Sequence, residues 1–144
     1  MKKIILLLVL SVSLFSCSKD DAAPQNNKIV GRWILTESKT LNTTTNEVVI
    51  DTPECGVEIS FTGPTSGTYT EKISAKNANG ICELAQTRTA TWTNPSVGVY
   101  KLKYPTDTVE DTYIIEYSNN DKTIIITQND GPEIVNKASF LKIN

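Results

Sequence analysis

The chain contains nine short runs of alternating apolar and polar residues, separated by turn-forming residues, and no convincing helical periodicity. Residues 57–61, for example, have apolar side chains at every second position, which is the period of a strand that buries one face. Turn sequences such as Gly63-Pro64 and Asn79-Gly80 fall between runs and join them at short range. Consecutive short strands linked in this way predict an all-β fold, either an antiparallel barrel or a sandwich.

The first run, residues 29–35, has a glycine two positions before a tryptophan. Alternation puts Gly31 and Trp33 on one face, where the glycine lets a second backbone approach and the indole fills the space beneath. This Gly-x-Trp near the start of the first strand resembles the bacterial lipocalin-like domain of Bacteroidetes lipoproteins. The resemblance implies an up-and-down barrel of about eight strands. In that family an Arg of the last strand often lies against this Trp, whereas this chain has Asn136 and Lys137 there.

The N-terminus has the pattern of a secretory signal, because two lysines precede an apolar run over residues 4–15. That run is too short to span a bilayer comfortably. Residues 14–17, Leu-Phe-Ser-Cys, resemble a bacterial lipobox, in which the Cys becomes the lipid-bearing first residue of the mature protein. The resemblance implies a signal peptide over residues 1–16 and lipidation of Cys17. The alternative is a plain secreted protein with a free Cys17.

Residues 17–28 are polar and lack apolar periodicity, so they are expected to form a tether between the lipid and a folded domain over residues 29–144. Lys19, Asp20 and Asp21 resemble the export signal that sends Bacteroidetes lipoproteins to the cell surface. The resemblance implies an outer-membrane lipoprotein displayed on the surface, attached to the membrane through Cys17. An inward-facing outer-membrane position and a merely solvated linker are the alternatives.

The chain has no histidine, which removes the commonest general base, metal ligand and partner of a Ser or Cys nucleophile. Carboxylates remain, but Asp107, Glu110 and Asp111 share one loop, where a role in solubility is commoner than catalysis. We therefore expect no enzyme activity, no metal site and no cofactor. The 14 basic residues against 16 acidic ones form no basic stripe, so no nucleic-acid partner is expected either.

Cys55 and Cys82 are the two cysteines that remain besides Cys17. Two cysteines without a histidine make a poor zinc site, whereas an exported protein favours a disulfide. Cys55 precedes the third run and Cys82 begins the fifth, so both are expected at the same end of the sheet. The sequence predicts a Cys55–Cys82 disulfide.

The inward phase of the predicted strands combines large aromatic residues with a few polar ones. Two interpretations remain open: a barrel filled by its own side chains, or an apolar pocket with polar groups that orient a ligand. If the barrel is open, we expect Tyr69, Arg88, Trp92 and Tyr100 to line it. Arg88 would then pair with Glu71, bind an anionic ligand headgroup, or reach water at the rim.

These interpretations lead to two functions. The first is an outer-membrane lipoprotein whose lipocalin-like domain binds a small apolar or amphipathic ligand. The second is a non-enzymatic protein-interaction module, such as an accessory subunit or an inhibitor, with a filled barrel. An open interior lined by Trp and Tyr favours the first, and an exposed apolar patch on a filled barrel favours the second.

Overall fold

A computed structural model describes residues 27–143. The signal peptide, Cys17 and the Lys19–Asp21 run lie outside the described residues. Within residues 27–143 the chain forms strands and no helix, and so no helix that is long and apolar enough to cross a membrane. The strands are β1 (Gly31–Asn42), β2 (Val48–Asp51), β3 (Val57–Phe61), β4 (Ser66–Lys76), β5 (Cys82–Ser96), β6 (Val99–Lys103), β7 (Asp111–Ser118), β8 (Thr123–Asp130) and β9 (Ile134–Ile143).

Eight of these strands close into an antiparallel barrel, in which β3 to β8 each pair with the next strand and β1 pairs with both β3 and β9. The all-β antiparallel barrel of about eight strands is therefore confirmed. The ninth strand, β2, pairs with β1. The first half of β1 (Gly31 to Ile34) lies beside β3, and its second half (Ser38 to Leu41) lies beside β2 on the same edge. A register shift between Leu35 and Glu37 separates the two halves.

The barrel has two different ends. We call the end at which β1 begins the packed end, and it also carries the β3–β4, β5–β6 and β7–β8 turns. Its core holds Trp33, Phe61, Trp92 and Tyr100, all nearly or fully buried, and the Phe61 and Trp92 rings meet edge to face at 5.8 Å between centroids. The opposite end, which we call the mouth, carries β2, the β4–β5 turn and the β6–β7 loop. Aromatic side chains thus occupy the packed end of the barrel.

The Gly31 and Trp33 pair is covered by the side chain of Lys142 from β9. Lys142 Nζ lies 4.9 Å from the centroid of the Trp33 ring and donates to the carbonyl oxygen of Lys28 at 3.3 Å. A Cβ on Gly31 would lie 3.1 Å from Lys142 Cε, and the φ of +133° at this position also favours glycine. The group that comes close to Gly31 is therefore a lysine side chain, where the sequence indicated a second backbone.

The predicted disulfide is confirmed, since Cys55 and Cys82 are bonded with their Cα atoms 5.3 Å apart. The bond joins the β2–β3 connection to the start of β5 at the mouth. Near it, a register shift between Ile73 and Ser74 changes the phase of the β4–β5 hairpin. Leu84, which simple alternation along β5 places inward with Trp92, is 59% exposed, and its neighbours throughout the first half of β5 are exposed as well.

Candidate ligand-binding site at the barrel mouth

A cavity of about 470 Å³ occupies the mouth half of the barrel, and every strand except β2 contributes to its wall. The volume falls within the range of small-molecule pockets in proteins. The interior is therefore open at the mouth and occupied by aromatic side chains at the packed end, which combines the two arrangements that the sequence left open. We call the space at the mouth the mouth cavity. A second hollow of about 450 Å³ lies at the packed end, where Asn94, Tyr100 and Tyr117 contribute to its lining.

The floor of the mouth cavity is apolar. Phe61, Leu102, Ile115 and Phe140 are at most 6% exposed, and each comes from a different strand. They lie there because each occupies the inward phase of its strand, with outward-facing neighbours on either side. Partly buried Ile126 and Ala138 complete the floor. This surface suits the apolar part of a ligand.

One side of the rim is charged and aromatic. Arg88 Nη1 lies 3.4 Å from Glu71 Oε2, and Arg88 Cζ lies 4.5 Å from the centroid of the Tyr104 ring. The Arg88 side chain is 46% exposed and that of Glu71 19% exposed. Of the arrangements considered for Arg88, the structure has the ion pair with Glu71. The half-exposed guanidinium also reaches water at the rim, which is another of those arrangements.

Burial controls the protonation of this side of the rim. It raises the pKa of Glu71, and the neighbouring Arg88 opposes that effect only in part. Burial also raises the pKa of the phenols of Tyr69, Tyr104 and Tyr113, and the carboxylate of Glu71 adds to the shift in all three. These tyrosines are therefore neutral hydrogen-bond donors at physiological pH.

The other side of the rim is polar, with Ser38, Thr40, Gln128 and Asn136 in the cavity wall together with the exposed Lys39 and Lys137. Thr40 Oγ1 donates to Asn136 Oδ1 at 2.9 Å across the β1–β9 ladder. Asn136 therefore lies at the mouth and does not take the place of the family's Arg against Trp33. Lys142 is the residue of the last strand that covers Trp33.

The structure brings two of the four predicted ligand-binding residues together and separates the other two from them. Tyr69 and Arg88 line the mouth cavity, whereas Trp92 and Tyr100 lie at the packed end outside its lining. Trp92 Nε1 donates to the carbonyl oxygen of Thr62 at 2.9 Å. The Tyr100 hydroxyl donates to Asn27 Oδ1 at 2.8 Å and lies 2.9 Å from the hydroxyl of Tyr117.

On the charged side of the rim, Tyr104, Asp111 and Tyr113 are not among the four predicted lining residues, and neither are the polar residues of the other side. The sequence indicates Asp111 as part of the acidic loop that precedes it, although it begins β7 in the same phase as Tyr113 and Ile115. That phase is the signal that points it inward. Within residues 27–143 no three acidic or cysteine side chains converge as metal ligands would.

No family model matches this chain, and no curated protein matches it. Among solved structures, a redesigned beta barrel is similar, with a TM-score of 0.44 and 8% sequence identity. The match covers 84% of this chain and 96% of that one. A likeness this distant has no bearing on function.

Proposed function

We propose that this protein binds a small amphipathic ligand in the mouth cavity. The observation that carries the proposal is the polarity gradient within one cavity, from the apolar floor to a rim of charged, phenolic and amide groups. Ligand pockets combine apolar surface, which contacts the apolar part of a ligand, with polar groups that fix its orientation. The apolar part of the ligand contacts Phe61, Leu102 and Phe140, and its polar part remains at the rim near Arg88 and Tyr104.

A cavity-filling variant tests this proposal. Ala138 lies in the cavity wall between Ser38 of β1 and Ile126 of β8, so Ala138→Phe is expected to place a ring in the ligand's space. Titration calorimetry with decanol should show saturable binding to the wild-type protein. Binding to the variant should be weaker by about tenfold or more, which corresponds to about 1.4 kcal/mol.

Ser139→Phe is the matched control, because Ser139 is the next residue of β9 and lies outside the cavity lining. It should change the decanol affinity by less than about twofold. If wild-type protein binds no decanol, the ligand proposal is wrong and the protein-interaction module becomes the better one. The surface available for that role is β2, whose Val48, Val49 and Ile50 are 52–58% exposed.

We also propose that the chain is a lipocalin-like lipoprotein of the outer membrane, exposed at the cell surface. The lipobox-like residues 14–17 and the run Lys19-Asp20-Asp21 support the address. In lipocalin-like domains an Arg of the last strand often lies against the Trp of the first strand. Here Lys142, also a cation of the last strand, lies against Trp33 of the Gly31-x-Trp33 motif, which supports the lipocalin-like assignment. Two or three acyl chains on Cys17 would anchor the protein stably.

Cys17→Ser tests the anchor. Without the thiol no lipid can be attached, so the variant should be released in soluble form or remain as uncleaved precursor. Ser16→Ala is the control and should stay membrane-bound. A Cys17→Ser protein that remains with the outer membrane after a carbonate wash would contradict lipidation.

Replacing Lys19, Asp20 and Asp21 by Ala tests the surface-export signal. The variant should lose protease accessibility in intact cells and keep its membrane attachment.

A further inference from the structure

The charged side of the rim indicates the class of polar group that the ligand carries. We infer that this group is a cation, an ammonium or a guanidinium, which takes the place of the Arg88 guanidinium between Glu71 and Tyr104. The inference rests on the proposed function, because it names the ligand class of the mouth cavity. It concerns a place in the structure that a cation already occupies, since Arg88 lies 4.5 Å from the Tyr104 ring centroid and 3.4 Å from the Glu71 carboxylate.

The Glu71 carboxylate and the Tyr104 ring belong to the wall of the cavity, whereas the Arg88 guanidinium lies half in solvent. Tyr104 is 8% exposed and the Glu71 side chain 19%, against 46% for the side chain of Arg88. Arg88 makes a single, long hydrogen bond to Glu71, although a guanidinium has five N–H donors. A half-exposed side chain held in this way can turn into solvent at little cost. A ligand cation then finds the carboxylate and the aromatic face preformed.

The charges around this place favour a cation over an anion. Asp111 is a second carboxylate in the cavity wall, close enough to Tyr104 and Tyr113 to raise the pKa of both phenols. Two carboxylates therefore face one guanidinium on this side. Lys39 also contributes to the wall, but its Nζ pairs with Glu37 at 2.8 Å. Lys137 is an exposed residue on the opposite side of the rim. An anionic headgroup near Arg88 would be repelled by Glu71 and Asp111.

Three decyl compounds have the same alkyl chain and differ in the charge of the headgroup. Comparing their affinities separates the contribution of the headgroup from that of the apolar chain. Decylammonium, decanol and decanoate are titrated into the protein by calorimetry at pH 7.5, below their micellar concentrations. We expect decylammonium to bind about tenfold more tightly than decanoate, with decanol between them. Binding of decanoate as tight as that of decylammonium would overturn the inference.

Arg88→Ala gives opposite results for the two headgroup charges. If the ligand cation replaces the guanidinium, removing Arg88 removes a competitor, and decylammonium should bind several-fold more tightly. If Arg88 instead anchors an anion, the same variant should weaken decanoate binding and leave decylammonium unchanged, which would overturn the inference. The melting temperature of the variant, followed by circular dichroism, checks that the barrel is retained.

Glu71→Gln removes the carboxylate and keeps the shape of the side chain. It should weaken decylammonium binding by about tenfold and change decanol binding by clearly less, because decanol carries no charge that the carboxylate attracts. Glu116→Gln is the matched control, because Glu116 is an exposed residue of β7 between Ile115 and Tyr117, outside the cavity lining. If decanol binds and decylammonium binds no better than decanoate, the headgroup inference alone fails. If none of the three compounds binds, the proposed function fails with it.

Discussion

Trp33 is the residue on which the packed end depends most. Its side chain is fully buried, its Nε1 donates to the carbonyl oxygen of Ile29 at 2.8 Å, and Lys142 covers its ring. We expect Trp33→Ala to lower the free energy of unfolding by about 3–5 kcal/mol, since it leaves a large cavity and unpairs a buried carbonyl.

Urea denaturation followed by circular dichroism measures this cost. Trp33→Phe is the control and should cost less, because a ring still fills most of the space. A loss below about 1 kcal/mol for Trp33→Ala would mean that the Gly31 and Trp33 motif has no structural weight.

The tyrosines predict how stability depends on alkaline pH. Burial is the largest cause that raises the pKa of Tyr69, Tyr104, Tyr113 and Tyr117, so the folded protein keeps phenol protons that the unfolded chain gives up near pH 10. Their contribution to stability is complete below the unfolded pKa and is lost as pH rises above it.

We therefore expect the phenolate absorbance at 295 nm to develop in the same step as the loss of the circular dichroism signal. In 6 M guanidinium chloride the tyrosines should titrate at their ordinary pKa. Titration of several tyrosines near pH 10 with an unchanged dichroism spectrum would contradict the burial of these rings.

At the level of secondary structure, two features hold the chain together at the mouth: the pairing of β2 with β1 and the disulfide. β2 occupies the edge of β1 that β3 leaves free, and the Cys55–Cys82 bond links the chain after β2 to the β4–β5 hairpin. The bond closes a loop with a sequence separation of 27 residues. In the chain-entropy model, Cys55→Ser with Cys82→Ser should cost about 3–4 kcal/mol of unfolding free energy.

Urea denaturation of the double variant checks this value, and the far-ultraviolet dichroism of the barrel should be retained. Non-reducing peptide mapping of the exported wild-type protein should recover the two cysteine peptides joined. Two free thiols in that protein would contradict the bond.

The strands and their order follow from the alternation of apolar residues, and the disulfide follows from the two cysteines beside their strands. Alternation also gives the face on which a residue lies, and Tyr69, Arg88, Trp92 and Tyr100 share the inward phase of their strands. It does not give the height along the barrel axis. Trp92 lies four residues from Arg88, about 13 Å along the strand, which is enough to place one at the packed end and the other at the mouth.

Register shifts explain most of the remaining differences. The shift in β1 and the one between β4 and β5 each change the phase within a single run, and neither has a glycine or proline to mark it. The contact of Lys142 with Trp33 depends on which residue of β9 lies opposite β1, and that register is set by pairing across the whole chain.

For the whole molecule, the two ends of the barrel separate two roles. The described chain enters at the packed end, where Asn27 accepts a hydrogen bond from Tyr100, and the mouth cavity opens at the other end. Under the lipoprotein proposal, the tether and the ligand entrance are at opposite poles of the domain. A ligand would then be exchanged with the surrounding medium or with a partner more readily than with the anchoring membrane.

Closure of the barrel also sets the time at which the protein can fold. β1 pairs with β9, and contacts such as that between Thr36 and Ser139 join residues 103 positions apart. The ring of strands cannot close until β9 has left the ribosome, and contacts of such long sequence separation form slowly. Under the lipoprotein proposal, slow closure favours export, because a chain that is still unfolded can pass through a translocation channel. A truncation that removes β9 would leave β1 and β8 without the strand that joins them.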